Sequence, residues 1–96
     1  MADLPAGRQA RTKSMYYVYV LSSIKRKYIY VGLTNNLERR FAQHQLGREK
    51  TTSPYKPFEI LITEVYLTRK DARKREVYLK SGAGKEWIKG SKINQT

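Results

Sequence analysis

Apolar residues along the chain alternate between a period of two and a period near a helical turn. From Met15 to Leu21 the sequence reads MYYVYVL, dense in valine and aromatics as strands are. The polar stretch SSIKRK follows, and then a second such segment from Tyr28 to Thr34, YIYVGLT. The pair predicts a β-hairpin. Alternation puts Ile29, Val31 and Leu33 on one face and Tyr28, Tyr30 and Gly32 on the other, and in the first strand Tyr17 and Tyr19 lie opposite Val18 and Val20. A symmetric turn centred near Ile24 and Lys25 sets Tyr19 across from Tyr30, so that the tyrosines sit side by side on the less aliphatic face.

The period then changes. In NNLERRFAQHQLG, Asn35 with Glu38 resembles a capping box, and Gly47 is a helix stop. Leu37 and Phe41 form the buried stripe; at about 100° per residue Arg40 and His44 fall beside it, one turn apart, while Arg39 points away. The loop GREKTTSPYKP is basic and is expected on the surface. Phe58 to Leu67, FEILITEVYL, predicts a third strand whose ILI run suggests burial on both faces. Thr68 with Asp71 starts a helix to about Lys80, on which Ala72 and Leu79 face inward and Glu76 falls about 40° from Ala72. After SGAG, Lys85 to Lys89 predicts a short helix with Trp87 as its anchor.

These elements make an α+β domain: a small three-stranded antiparallel sheet flanked by helices. Residues 1–14 are small, polar and basic and read as a disordered arm, 15–89 as the working domain, and 90–96 as a flexible tail. The full 96 residues fit one domain with an economical core. Absence of cysteine excludes a disulfide framework, a cysteine zinc site and a thiol nucleophile. Twenty Lys and Arg against eight Asp and Glu give a net charge of +12, a field that concentrates polyanions, nucleic acid foremost. Membrane is the weaker reading, because the basic residues are spread along the chain and no apolar run is long enough to span a bilayer. Without an apolar leader the expectation is a cytoplasmic protein, nucleoid-associated in a bacterium.

Tyr19, Tyr30, Arg40, His44 and Glu76 form the candidate polar set. In this order the chain resembles the GIY-YIG nuclease family over nearly all of residues 15–80. The first motif stands as Tyr17-Val18-Tyr19 and the second as Tyr30-Val31-Gly32; the following helix carries Arg40 and His44, and the later helix the acidic Glu76. Tyr17 replaces the first glycine of the family's motif and valines replace both isoleucines, mild changes where a strand needs only β-compatible residues. No residue is assigned to the asparagine that many members carry near the C-terminal end.

The resemblance implies divalent-metal-dependent hydrolysis of nucleic-acid phosphodiesters, DNA in the first instance. Glu76 would hold Mg²⁺ or Mn²⁺, an ion that keeps most of its waters and needs few protein carboxylates. Arg40 would grip the phosphate, and Tyr30 would be the general base or position water. His44 competes for the base role with a reference pKa of about 6.5, and Tyr19 would order water. Lys25-Arg26-Lys27 and Arg73-Lys74-Arg75 are candidate backbone contacts. Room for a separate reading domain is lacking, so structure-directed cutting or recruitment by a protein partner is expected. The alternative is a nucleic-acid-binding module with little or no turnover on the same scaffold, and beyond it a basic interaction protein.

Overall fold

The computed structural model describes residues 15–94, with side chains through residue 91; the expected arm at 1–14 lies outside the described residues, as do 95–96. Strands β1 (Tyr16–Ser23), β2 (Ile29–Thr34) and β3 (Phe58–Tyr66) form one antiparallel sheet in the order β2-β1-β3. Helix α1 (Leu37–Gln45) follows the hairpin, and α2 (Arg69–Lys80) and α3 (Gly82–Asn94) follow β3. This is the α+β architecture the pattern predicts.

The central strand explains the rest. Val18, Tyr19, Val20 and Leu21 are all fully buried, and successive side chains feed opposite faces of the sheet. Val18 and Val20 join Val31, Ala72, Leu79 and Ile88, which bind α2 and α3 to one face. Tyr19 and Leu21 join Phe58 on the other, against Leu37 and Phe41 of α1 and against Tyr28, Tyr30 and Tyr55. Each large apolar side chain so buried contributes about 1.5–3 kcal/mol relative to exposure.

The hairpin register differs from the expected one by one pair. Tyr19 pairs with Gly32, and Tyr30 pairs with Leu21. β1 runs on to Ser23, whose amide donates to the Tyr28 carbonyl at 2.9 Å and whose hydroxyl accepts from the Arg26 amide at 3.0 Å. The turn therefore centres between Lys25 and Arg26, and Tyr30 becomes the diagonal rather than the direct neighbour of Tyr19. Parity is kept, so both tyrosines still share a face.

Asn36, not Asn35, caps α1, its side chain accepting from the Arg39 amide at 3.0 Å. The helix closes as predicted at Gly47, whose φ of 77° is reached cheaply only by glycine. Its amide donates to the His44 carbonyl and that of Arg48 to Gln43, which together satisfy the last turn. Thr68 caps α2 as expected by accepting from the Asp71 amide.

Three expectations for the second half are corrected. β3 is an edge strand, so its ILI run is not buried on both faces: Ile60 is 40% exposed. α3 starts earlier and ends later than 85–89, reaching Asn94 and so covering most of the expected tail. Its anchor is Ile88 rather than Trp87, which is 42% exposed beneath the Arg75 guanidinium. In the first turn of α3 a Cβ on Gly84 would strike the Tyr78 carbonyl and the Leu79 backbone, so only glycine lets α2 and α3 meet there.

Candidate functional site

Tyr19, Tyr30, Arg40 and His44 converge on the α1 face of the sheet. Tyr19 enters from β1 across Gly32, where a Cβ would overlap its hydroxyl and ring. Its hydroxyl lies 3.0 Å from His44 Nε2, and His44 Nδ1 lies 2.8 Å from the Thr52 hydroxyl. The Tyr30 ring centre is 6.2 Å from that of Tyr19 and 5.0 Å from that of His44. Arg40, one turn before His44, faces the Tyr19 hydroxyl and also holds Gln43 at 3.1 Å and Glu49 at 2.6 Å. The helical spacing that places Arg40 beside His44 thus aims both at the same phenol.

Electrostatics fix where the protons lie. Burial pushes the Tyr19 phenol up to about 12, although Arg40 opposes it. Burial, then the nearby Arg40 charge, hold His44 below its ordinary value against the pull of Glu49. Burial pulls the Arg40 guanidinium down, but Tyr19 and Glu49 outweigh it and leave the group raised. At neutral pH, therefore, Tyr19 keeps its proton, His44 is neutral and Arg40 is charged. Arginine can only donate, so Tyr19 presents oxygen lone pairs to Arg40 and its proton to His44 Nε2. Nδ1–H then donates to Thr52. His44 is fully buried with both ring nitrogens engaged, not at the edge of the packed face as the wheel predicted.

A pH dependence follows. The folded chain disfavours imidazolium, so the unfolded chain takes up a proton more readily, and the stability contributed by neutral His44 is present above its ordinary value of 6.5 and lost as pH falls towards the lowered folded value. The urea midpoint should drop between pH 7.5 and 5.5, and part of that drop should be missing in His44→Gln.

Glu76 is placed differently. It is buried on α2, whose inward residues face the valine side of the sheet. Its carboxylate accepts from Arg73 at 2.7 Å and pairs with Lys80 at 3.1 Å. Burial raises this carboxyl, but Arg73 and Lys80 outweigh it and keep it below the usual range, hence ionised. Among the described residues Glu76 makes no hydrogen bond or ion pair with the other four candidates. Its partner Lys80 lines a cavity of about 950 Å³ between the outer edge of β2, at Ile29, Tyr30 and Val31, and the α2–α3 pair. Lys27, Lys85 and Lys89 line it too.

Of the basic runs, only Lys27 reaches that cavity. Arg73 is held by Glu76, and Arg75 makes a two-bonded pair with Glu64 at 2.9 and 3.1 Å. Arg26 lies over the Tyr55 ring.

The described residues contain no cluster of three or more His, Asp or Glu able to cage a metal ion. A cation that uses one carboxylate, waters and substrate oxygens does fit the donor set. Glu76 is ionised, and the side chains of its partners Arg73 and Lys80 are 61% and 50% exposed, free to turn away.

Sequence reasoning missed Thr52 and Glu49, both in the loop expected to be merely exposed. Glu49 carried a signal, as the only acid between Gly47 and Pro57. Thr52 carried none, because its role depends on a contact with α1 that only the folded loop creates.

The family model described as the GIY-YIG catalytic domain matches residues 15–90. A UPF0213 protein of Natronomonas pharaonis is 40% identical over 67 residues, which cover 69% of this chain and 78% of the relative. One from Oceanobacillus iheyensis is 35% identical over 66 residues, covering 68% and 76%. The NMR structure of a UPF0213 protein of Bacillus halodurans aligns with a TM-score of 0.50 at 28% identity, over 79% of this chain and 83% of that one.

Proposed function

Because the chain belongs to the GIY-YIG catalytic domain family, a family of nucleases, we propose that it hydrolyses phosphodiester bonds of DNA, guided by the shape of the substrate, with the help of a divalent cation. The observation that carries this reading is the convergence of Tyr19, Tyr30, Arg40 and His44, from two strands and a helix, beside a lysine-lined cavity.

Each group has a part that its surroundings support. Arg40, charged and half-buried, offers forked donors to a phosphate and stabilises the charge that develops during in-line attack. Tyr19, protonated and hydrogen-bonded to His44, orients rather than accepts a proton. With both His44 nitrogens occupied, the base role passes to Tyr30, the phenol whose ring packs against both Tyr19 and His44. Lys27, Lys80, Lys85 and Lys89 attract the strand through its phosphates, which favours affinity over sequence preference. Glu76 would hold Mg²⁺ or Mn²⁺, which when bound supplies neutralising charge to the phosphate and the leaving oxygen.

A second reading has an observation of its own: Glu76 is saturated by Arg73 and Lys80, as it would be in a binding module with little turnover. Incubation with labelled single-stranded, duplex and branched DNA separates the two. An enzyme nicks at least one of them with Mg²⁺ or Mn²⁺, stops in chelator and loses activity in Glu76→Gln. Salt-sensitive binding without a nick in either cation marks the binding module.

A further inference from the structure

The shortest ion pair among the described residues joins Arg40 to Glu49, at 2.6 Å with both side chains 30% exposed. It is held by the fold. The Glu49 carbonyl accepts from the amides of Thr52 and Ser53 at 3.2 and 2.8 Å, and the preceding Gly47 turn closes α1. The loop therefore presents the carboxylate to the guanidinium from a fixed backbone. Arg40 has an anchor besides Glu49, since its Nη1 donates to the Gln43 side chain at 3.1 Å.

A carboxylate and a phosphate offer arginine the same kind of anionic oxygen. We propose that Glu49 is an internal stand-in for the substrate's phosphate, occupying Arg40 until nucleic acid displaces it. This rests on Arg40 being the phosphate grip. On a chain of net charge +12, polyanions gather wherever lysines stand. Contact at the lysines leaves the Arg40–Glu49 pair intact, whereas contact at Arg40 must break it. The penalty thus falls on engagement at the site itself. Glu49, already partly in water, has solvent to move into.

The test is binding of a fluorescein-labelled DNA oligonucleotide, followed by anisotropy at one fixed salt concentration in chelator, so that nothing is cut. Glu49→Gln should bind about tenfold more tightly than the wild type, the scale of one charged hydrogen bond. Glu38→Gln, with the same change of net charge on an exposed residue of α1, should gain no more than about threefold. The Glu49 gain should vanish in an Arg40→Gln background. Glu49→Asp, which keeps the charge but shortens the reach, should shift binding in the same direction as Glu49→Gln and guards against a folding defect in either variant. Equal gains for Glu49→Gln and Glu38→Gln, or weaker binding by Glu49→Gln, overturn the stand-in role while leaving the nucleic-acid reading intact. If the wild type and Glu49→Gln both fail to bind at low salt, the nucleic-acid reading fails and takes this inference with it.

Discussion

Replacing Arg40 by alanine should slow DNA cleavage by about 10²–10³-fold, the usual loss when a donor aimed at developing negative charge is removed. Lysine should not restore the rate. Its single ammonium cannot reproduce the fork with which Arg40 spans Glu49 and Gln43. Folding should change by no more than about 1–2 kcal/mol, because the residue is partly exposed and its strongest contact is a half-exposed charged hydrogen bond. Initial nicking rates and thermal melts on the same preparations check both halves. A rate within a few-fold of wild type, with a normal melt, would remove Arg40 from the chemistry.

The largest effect on stability is expected at Gly32. A methyl group there would overlap the Tyr19 hydroxyl and ring, and Tyr19 is fully buried between β2 and α1. The ring cannot move without leaving His44 Nε2 unpartnered in the interior. Overpacking together with a broken buried hydrogen bond predicts a loss of about 3 kcal/mol for Gly32→Ala. In a domain of this size that is a fall of roughly 15 °C in melting temperature. Gly90→Ala is the internal comparison: it has open space around its Cβ position inside α3 and should stabilise slightly. Equal melts for the two variants would mean that Tyr19 does not lie across Gly32.

Much of the fold was legible because strands and helices write their period into the sequence. The alternation in MYYVYVL identified the two faces of β1, and the turn spacing of α1 put Arg40 and His44 on one side. What failed was local ambiguity and tertiary context. Consecutive asparagines at 35 and 36 both suit a cap, and only the path of the chain from Thr34 decides for Asn36. The hairpin register turned on the Ser23 hydroxyl and amide, which extend β1 by a detail no period records. Burial of the ILI run was overestimated because strand order, not composition, makes β3 an edge. Glu76 was readable as an acid on a buried stripe, and its pairs with Arg73 and Lys80 were readable from helical spacing. By contrast, the Glu49 and Thr52 contacts arise from a loop folding back on a helix, a closure that leaves no repeating trace.

The lysine-lined cavity also bears on how copies of the chain meet. β2 ends the sheet, so its outer backbone groups are a template on which another chain could add a strand. Lys27, Lys80, Lys85 and Lys89 crowd that border, and a second copy approaching it would bring its own like charges into register with them. Mutual repulsion thereby guards the open margin against sheet-to-sheet aggregation, and concentrated salt, by screening it, would weaken the guard.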